Sequence, residues 1–266
     1  MTIRIEDTGP VRTIIHDRYE SRNAMDPENA EALHQAFLDF NTAAASSVAV
    51  LWGAGGAFCA GWDLKSAQAL VGQDAPLAAF EFQEGSSARP RGPMGPTRLM
   101  LDKPVIAAIE GPAVAGGMEL ALWCDVRVMA RDAYMGVYCR RWGVPLIDGG
   151  TIRLPEIVGR GRALDIILTG RKVEAEECLQ IGLCERLAAP GEARLVAEDL
   201  ARTIARFPQE CMRADRASVY AHAGAGIEEG LRGEFDGGKA VLKKEGLEGA
   251  MRFAGGKGRH GDFEDI

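Results

Sequence analysis

The chain of 266 residues has few of the features by which several protein classes are recognised. Its net charge of -7 and pI near 5.3 leave no excess of basic residues for a phosphate backbone, so no nucleic-acid partner is expected. No apolar run approaches the roughly 20 residues of a membrane-spanning helix, so no membrane partner is expected either. The histidines are scattered, with no pair at helical spacing to hold a metal, and no metal site is predicted. They are His16, His34, His222 and His260.

The cysteines and the N-terminus exclude further classes. The six cysteines form no C-x-x-C pair and most lie in apolar segments, which indicates reduced thiols. The opening MTIRIEDTGP has no apolar core of a signal peptide, so we predict an unexported, cytoplasmic protein. With 47% hydrophobic residues, the chain can form one large domain with a helical appendage.

Strand-like and helix-like segments alternate along the first 130 residues. VRTIIH, SVAVLW, VIAAI and VRVMA are short β-branched or apolar runs typical of buried strands. Asp26-Pro27 is a helix start, a second helix is predicted over 116–124, and from Thr151 onward the pattern is mostly helical. This order predicts an α/β protein whose ligand loops gather at the carboxyl ends of parallel strands.

Two segments rich in glycine or proline fall outside this alternation. Residues 66–95 contain SARPRGP and predict a long surface loop of the kind that covers a site. AGGKGRHGDF, near the C-terminus, predicts a mobile tail or a subunit contact.

Two glycine-rich turns each follow a predicted strand. They are GAGGAFCAGWDLK (53–65) and GPAVAGGMEL (111–120), and neither matches a nucleotide-binding fingerprint. Exposed backbone N–H groups from two such turns can stabilise a thioester oxygen that becomes an enolate, each by about 3 kcal/mol. The second turn also begins a helix, where unpaired N–H groups favour negative charge. The alternative is that the glycines only turn the chain.

Glu119 follows the second glycine pair. An acid in the first turn of a helix often does no more than complement the helix dipole. The apolar residues around it, Met118 and Leu120 to Trp123, instead predict a partly apolar pocket. Such a pocket raises a carboxyl pKa and suits proton transfer.

Together these segments resemble the crotonase family, the enoyl-CoA hydratase/isomerase superfamily. The similarity covers nearly the whole chain and lies in SRNAM, GGAFCAGWDLK, KPVIAAIEGPAVAGGMELALWCDVRV, GGTIRLPEIVG, ILTGRKVEAEECLQIGLCERL and the C-terminal EGAMRFAGGKGRHGDF. The resemblance implies a spiral of repeated ββα units over residues 1–200, which carries the CoA and oxyanion site. Residues 201–266 are then a helical region for trimer formation, as a homotrimer or a dimer of trimers.

The resemblance also assigns the binding residues. The oxyanion donors fall on the backbone N–H groups of Trp62 and Gly116. Coenzyme A, as part of the substrate, is the only cofactor-like group implied. Its predicted contacts are Arg22, Ala24, Ala60, Trp62, Asp63, Leu64, Lys65 and Gly117, with Phe253 and Lys257 reaching it from a neighbouring subunit. Arg22 and Lys65 suit phosphate groups, although solvated surface charge explains them equally well.

The catalytic acids depart from the family pattern. Hydratases of the family use two glutamates on one water; Glu119 matches one, but Cys139 occupies the position of the other. A cysteine is a poor base at neutral pH unless Arg140 and Arg141 lower its pKa. Asp148, in the loop before Gly150, is the predicted second acid. It could instead cap the following helix or pair with one of those arginines.

We therefore predict an acyl-CoA enzyme that stabilises a thioester enolate, with enoyl-CoA hydratase as the first reading. A double-bond isomerase and a non-catalytic acyl-CoA binding protein are the alternatives. The sequence leaves the acyl-chain specificity, the choice between hydration and isomerisation, and the choice between trimer and hexamer open.

Overall fold

The apolar runs form the strands of a six-stranded sheet in the computed structural model, which describes residues 2–68, 78–86, 88–261 and 263. Its strand order is β1-β2-β3-β4-β6-β9. The strands are β1 (Ile3–Thr8), β2 (Val11–His16), β3 (Val48–Gly53), β4 (Val105–Ile109), β6 (Val126–Ala130) and β9 (Arg186–Ala188). β1 and β2 are antiparallel, and every other neighbouring pair is parallel. The four strands predicted from sequence, β2, β3, β4 and β6, lie side by side at its centre.

A second, smaller sheet lies at the carboxyl ends of these strands. It contains β5 (Pro112–Val114), β7 (Tyr134–Gly136) and β8 (Val173–Glu174). Isolated bridges join Cys59 to Ala113 and Met25 to Trp62, so the segments after β2 and β3 follow the same direction. Each central strand therefore leads into a short extended segment and then a helix, which is the predicted repeat of ββα units.

The helices follow in chain order. They are α1 (Pro27–Thr42), α2 (Leu64–Gln68), α3 (Gly116–Trp123), α4 (Gly150–Val158), α5 (Arg160–Thr169), α6 (Ala175–Gln180), α7 (Ala193–Ala205), α8 (Gln209–Ala221), α9 (Ile227–Val241) and α10 (Leu247–Ala254). Asp26 caps α1 as predicted, accepting a hydrogen bond from the Asn29 amide at 2.8 Å. α7 packs across β2, β3, β4 and β6. It includes residues 200 and 201, between which the sequence analysis placed the boundary of the C-terminal region.

The C-terminal helices α8, α9 and α10 bury none of their side chains completely. Together with the π-helical turn Leu242–Gly246 between α9 and α10, they expose a series of large apolar residues, which are Val219, Ile227, Leu231, Phe235, Leu242, Leu247, Met251 and Phe253. α8 is tied to the sheet domain through Asp125, whose Oδ1 accepts from Arg216 Nε at 2.8 Å and from Tyr220 Oη at 2.7 Å. No helix within the described ranges is long and apolar enough to cross a membrane.

The predicted surface loop over 66–95 is only partly correct. Its first residues belong to α2, and residues 69–77 and 87 lie outside the described residues. Residues 92–97 are buried, because they form a wall of the cavity described below.

Candidate active site

Two residues that line the site have backbone amides without a hydrogen-bond partner in the described part of the chain. Trp62 follows Gly61, and its neighbours pair with Met25: the Met25 amide donates to Gly61 O and the Asp63 amide donates to Met25 O, both at 2.8 Å. Gly116 is the first residue of α3. Neither the Trp62 nor the Gly116 amide has an acceptor among the residues that the structure describes. Both residues line one cavity of about 310 Å³, as the oxyanion prediction requires.

The glycines let the two loops approach each other. Gly61 has a φ of +91°, and a Cβ there would lie 3.0 Å from the Gly116 nitrogen and 2.8 Å from the Ala115 Cβ. A Cβ at Gly117 would overlap the Cys59 carbonyl. Ala115 itself takes a φ of 54°, a strained value for a residue with a side chain. Because the close packing leaves no room for side chains, the glycines do more than turn the chain.

Glu119 is buried at 3% exposure in the first turn of α3. Its Oε1 accepts hydrogen bonds from the amides of Asp148 and Gly150, both at 2.9 Å. Its Oε2 has no donor within the described part of the chain, and the residue lines the cavity. Burial, and to a smaller extent the charge of Asp148, raises the pKa of Glu119 to about 7, although the two amides oppose this. The carboxyl group is therefore suited to proton transfer near neutral pH.

Asp148 lies in the same cavity and is also 3% exposed. Its Oδ1 accepts from the Met94 amide at 3.1 Å and from Thr97 Oγ1, and burial raises its pKa. Both structural alternatives for Asp148 are wrong. The residue that precedes α4 is Gly149, and no side chain caps this helix. Arg140 donates to Ile167 O at 3.2 Å and Arg141 to Tyr138 O at 3.4 Å, and neither forms an ion pair with Asp148 among the described residues.

Cys139 lines the cavity from a 3₁₀ helix, Tyr138–Trp142. Burial raises the pKa of its thiol, the negative charge of Glu119 raises it further, and the effect of Arg140 is too small to reverse this. The condition under which the thiol could act as a base, a pKa lowered by the arginines, is therefore not met.

The CoA contacts predicted within one subunit divide into three groups. Arg22, Ala60, Trp62 and Leu64 line the cavity, and Arg22 has no carboxylate partner within the described ranges. Ala24 and Asp63 lie beside it but are bound to Arg18, which donates to Ala24 O and to Asp63 Oδ2, both at 2.8 Å. Gly117 packs on Cys59, and Lys65 is exposed.

Phe253 and Lys257 are not brought to the cavity within one chain. Phe253 lies on α10 with 61% exposure, and Lys257 follows that helix. The prediction placed them in a neighbouring subunit's site, so it stays a prediction.

Several residues of the site were not identified from sequence. Met94 packs over Gly116, where a Cβ would lie 2.5 Å from its sulfur, and Thr97 binds Asp148. Arg153, in the segment GGTIRLPEIVG, donates to the carbonyls of Asp148 at 2.9 Å and Thr97 at 2.7 Å. This segment resembles the family, but its arginine was not assigned a role. The signal that could have identified Arg153 is a charged residue among apolar ones at the start of a predicted helix.

Comparison with known proteins agrees with this geometry. The family model for enoyl-CoA hydratase/isomerase matches residues 6–255. A carnitinyl-CoA dehydratase from Salmonella arizonae is 35% identical over 260 residues, which cover 95% of each chain. An enoyl-CoA hydratase structure from Mycobacterium tuberculosis superposes with a TM-score of 0.85 at 31% identity, covering 95% of both chains. One from Bacillus anthracis gives 0.84 at 30% identity over 96% of both. The chain belongs to the enoyl-CoA hydratase/isomerase family.

Proposed function

We propose that this protein is an enoyl-CoA hydratase that adds water across the double bond of a 2-enoyl-CoA thioester. The observation that carries the proposal is that Trp62, Gly116 and Glu119 line one cavity. The amides of the first two and Oε2 of the third have no hydrogen-bond partner among the described residues. The amides receive the thioester oxygen, and each contributes about 3 kcal/mol to stabilising the enolate.

The proton transfers then follow from the two carboxyl groups. Glu119 in its ionised form accepts a proton from water, whose oxygen bonds to Cβ while the electron pair of the double bond moves through Cα to the thioester oxygen. The enolate becomes product when Cα receives a proton. In this scheme the donor is Asp148 in its protonated form, a form that burial favours by raising the pKa of its carboxyl group.

The coenzyme A arm leaves the cavity across the loops that hold the oxyanion amides. Arg22 and Lys65 have no carboxylate partner in the described part of the chain, which suits them to phosphate groups. The exposed apolar surface of α8, α9 and α10 supports assembly into a homotrimer or a dimer of trimers, in which Phe253 and Lys257 approach a neighbour's CoA. Size-exclusion chromatography with light scattering measures the number of subunits, and a monomer would contradict this part of the proposal.

A double-bond isomerase is the second candidate, because Cys139 stands where the second hydratase glutamate is expected. Its thiol keeps its proton, so Asp148 is the carboxyl group that remains beside Glu119 in the cavity. Oδ1 of Asp148 already accepts hydrogen bonds from the 94–97 segment. Isomerisation needs a single carboxyl that moves a proton between two carbons.

Cations lie over three of the four aromatic residues that line the cavity, and this disfavours a cationic acyl group such as carnitinyl. Quaternary ammonium groups bind over aromatic faces. The aromatic side chains Tyr138 and Trp142 already have Arg141 over them, at 4.7 and 6.0 Å, and Tyr134 has Lys172 at 4.3 Å. We therefore expect crotonyl-CoA to be used at least 10-fold more efficiently than its trimethylammonium derivative, roughly the effect of one such contact.

Product masses test the proposal. Purified protein is incubated with crotonyl-CoA and with longer 2- and 3-enoyl-CoA thioesters. Addition of water indicates a hydratase, and a shifted double bond at unchanged mass indicates an isomerase. Binding without either change indicates the non-catalytic acyl-CoA binding protein.

Paired variants show whether the rate depends on the proposed acid. Glu119→Gln removes it, and Glu110→Gln is the matched control. Glu110 is also a buried acid with a raised pKa that accepts two amides, from Gly191 at 3.1 Å and Ala193 at 2.7 Å, but it lies outside the cavity. Equal loss of rate in both variants would contradict the assignment of Glu119.

A further inference from the structure

Arg153 joins two loops that are far apart in sequence. From α4, its Nη1 donates to the carbonyl of Asp148 at 2.9 Å and its Nη2 donates to the carbonyl of Thr97 at 2.7 Å. The guanidinium also lies against the α-carbon of Gly149, where a Cβ would overlap Nη1. Because the fork of one guanidinium fills both carbonyl positions at once, its geometry fixes the distance between the loops.

Each of these loops supports a different part of the site. The loop at 94–97 carries Met94, which packs over the Gly116 oxyanion amide. The loop at 148–150 supplies both amides that hold Glu119 Oε1. A shift between the loops would therefore move the acid relative to the amide that receives the thioester oxygen.

Arg153 carries a positive charge that lowers the pKa of both buried acids, although Arg98 acts more strongly on Asp148. The ion pairs of the described residues give Arg153 no carboxylate partner. The groups that influence it are Tyr220, Glu119, Cys124 and Asp148. Glu119 additionally faces Cys139, and Asp148 additionally faces Arg98 and Cys59. One buried positive charge opposite two buried carboxyl groups is balanced when one of the two is ionised.

We propose that Arg153 is a positioning residue that fixes the 94–97 and 148–150 loops together and supplies the charge that lets one carboxylate and one carboxylic acid coexist in the cavity. Hydration needs both forms at once, one as base and one as acid. The inference rests on the proposed function for its turnover measurements but not for its titration measurements.

Two substitutions separate the geometric part of this role from the charge. Arg153→Gln removes the charge, and Arg153→Lys keeps it but cannot donate to both carbonyls in the same fork. The carboxyl carbons of Glu119 and Asp148 are titrated by ¹³C NMR in each variant, and kcat and KM for crotonyl-CoA are measured from pH 5 to 9. Arg127→Gln is the matched control: Arg127 is buried, donates to Cys124 O at 2.8 Å and Leu183 O at 3.1 Å, and lies outside the cavity.

The proposal predicts a different result for each variant. In Arg153→Gln both carboxyl pKa values rise, the acid limb of kcat moves to higher pH, and kcat at pH 7 falls by roughly 10- to 100-fold with little change in KM. In Arg153→Lys the titrations stay near those of the native protein while kcat still falls. Arg127→Gln leaves both titrations and the pH profile in place, whatever its effect on stability.

The opposite results would overturn it. Unchanged carboxyl titrations in folded Arg153→Gln would refute the charge role, and a native kcat in Arg153→Lys would refute the positioning role. If Arg153→Gln does not fold, the Lys variant decides the proposal through the same kcat. A native protein without turnover would refute the proposed hydratase, while the NMR titrations would still decide the role of Arg153.

Discussion

Replacing Glu119 by glutamine is expected to remove activity and to stabilise the protein at neutral and alkaline pH. The glutamine carbonyl can accept the same two amides, from Asp148 and Gly150, so the loop that holds the side chain is retained. The amide cannot accept a proton from water. A loss of roughly 100- to 10,000-fold in kcat/KM is expected, the usual contribution of a general acid or base.

The gain in stability follows from the pKa of the buried acid. Burial raises the pKa of Glu119 from 4.5 to about 7, a difference of about 2.5, which at 1.36 kcal/mol for each pKa unit is about 3 kcal/mol. Below pH 4.5 the carboxyl is protonated in both the folded and the unfolded chain and has no effect. Between pH 4.5 and about 7 the unfolded chain ionises first, so the free energy of unfolding falls as pH rises. Above that window the full loss is present, and the neutral glutamine avoids it.

Urea denaturation at pH 5 and pH 8 measures the effect. We expect the difference in the free energy of unfolding between Glu119→Gln and the native protein to grow by about 2–3 kcal/mol between these two values. Glu110→Gln is the control for the removal of a buried acid elsewhere, because the native Glu110 carboxylate accepts a hydrogen bond at the start of α7. A constant difference across this pH range would refute the reasoning that Glu119 ionises with difficulty in the folded state.

Three further predictions concern the same cavity. Gly61→Ala places a Cβ 3.0 Å from the Gly116 nitrogen at a φ of +91°, so it should cost about 1–3 kcal/mol in denaturation experiments and abolish most turnover; native kcat/KM would contradict the oxyanion role. Asp148→Asn should lower kcat at least roughly 10-fold, and a full rate would show that Asp148 only anchors the 94–97 loop. Iodoacetamide at pH 7.5 should label one thiol per folded chain, since Cys211 alone of the six cysteines is exposed; labelling of Cys139, mapped by peptide mass, would refute its raised pKa.

The parts of the fold that sequence predicted are those governed by local requirements. The central strands are continuous apolar runs, and the turn before α3 needs small residues whatever surrounds it. The edge strand β1 was missed because its side chains are largely exposed and its alternation of apolar and polar residues covers only Ile3 to Glu6. β8 and β9 were missed because they are only two and three residues long.

The residues of the candidate site were also predictable only where a short local motif marks them. The glycines near Trp62 and Gly116 and the acid after them are visible in the sequence because each motif is short and contiguous. The bonds from Arg153 to Thr97 and Asp148 are directed at backbone carbonyls, and carbonyls are present at every residue, so no sequence pattern marks them. The burial of the 94–97 segment was missed because proline and glycine are typical of exposed loops and of tightly packed walls alike.

The double use of one glutamate limits how the proposed active site can evolve. Because Oε1 of Glu119 is occupied by the loop at 148–150, a mutation that reshapes this loop also reorients the acid, and a change of the acid releases the loop. Insertions there would be selected against even where they enlarged the cavity. Residues 139–147 contribute another wall of the cavity, and they form no hydrogen bond with the Glu119 side chain. Single substitutions there can produce new reactions on this scaffold while leaving the acid in place.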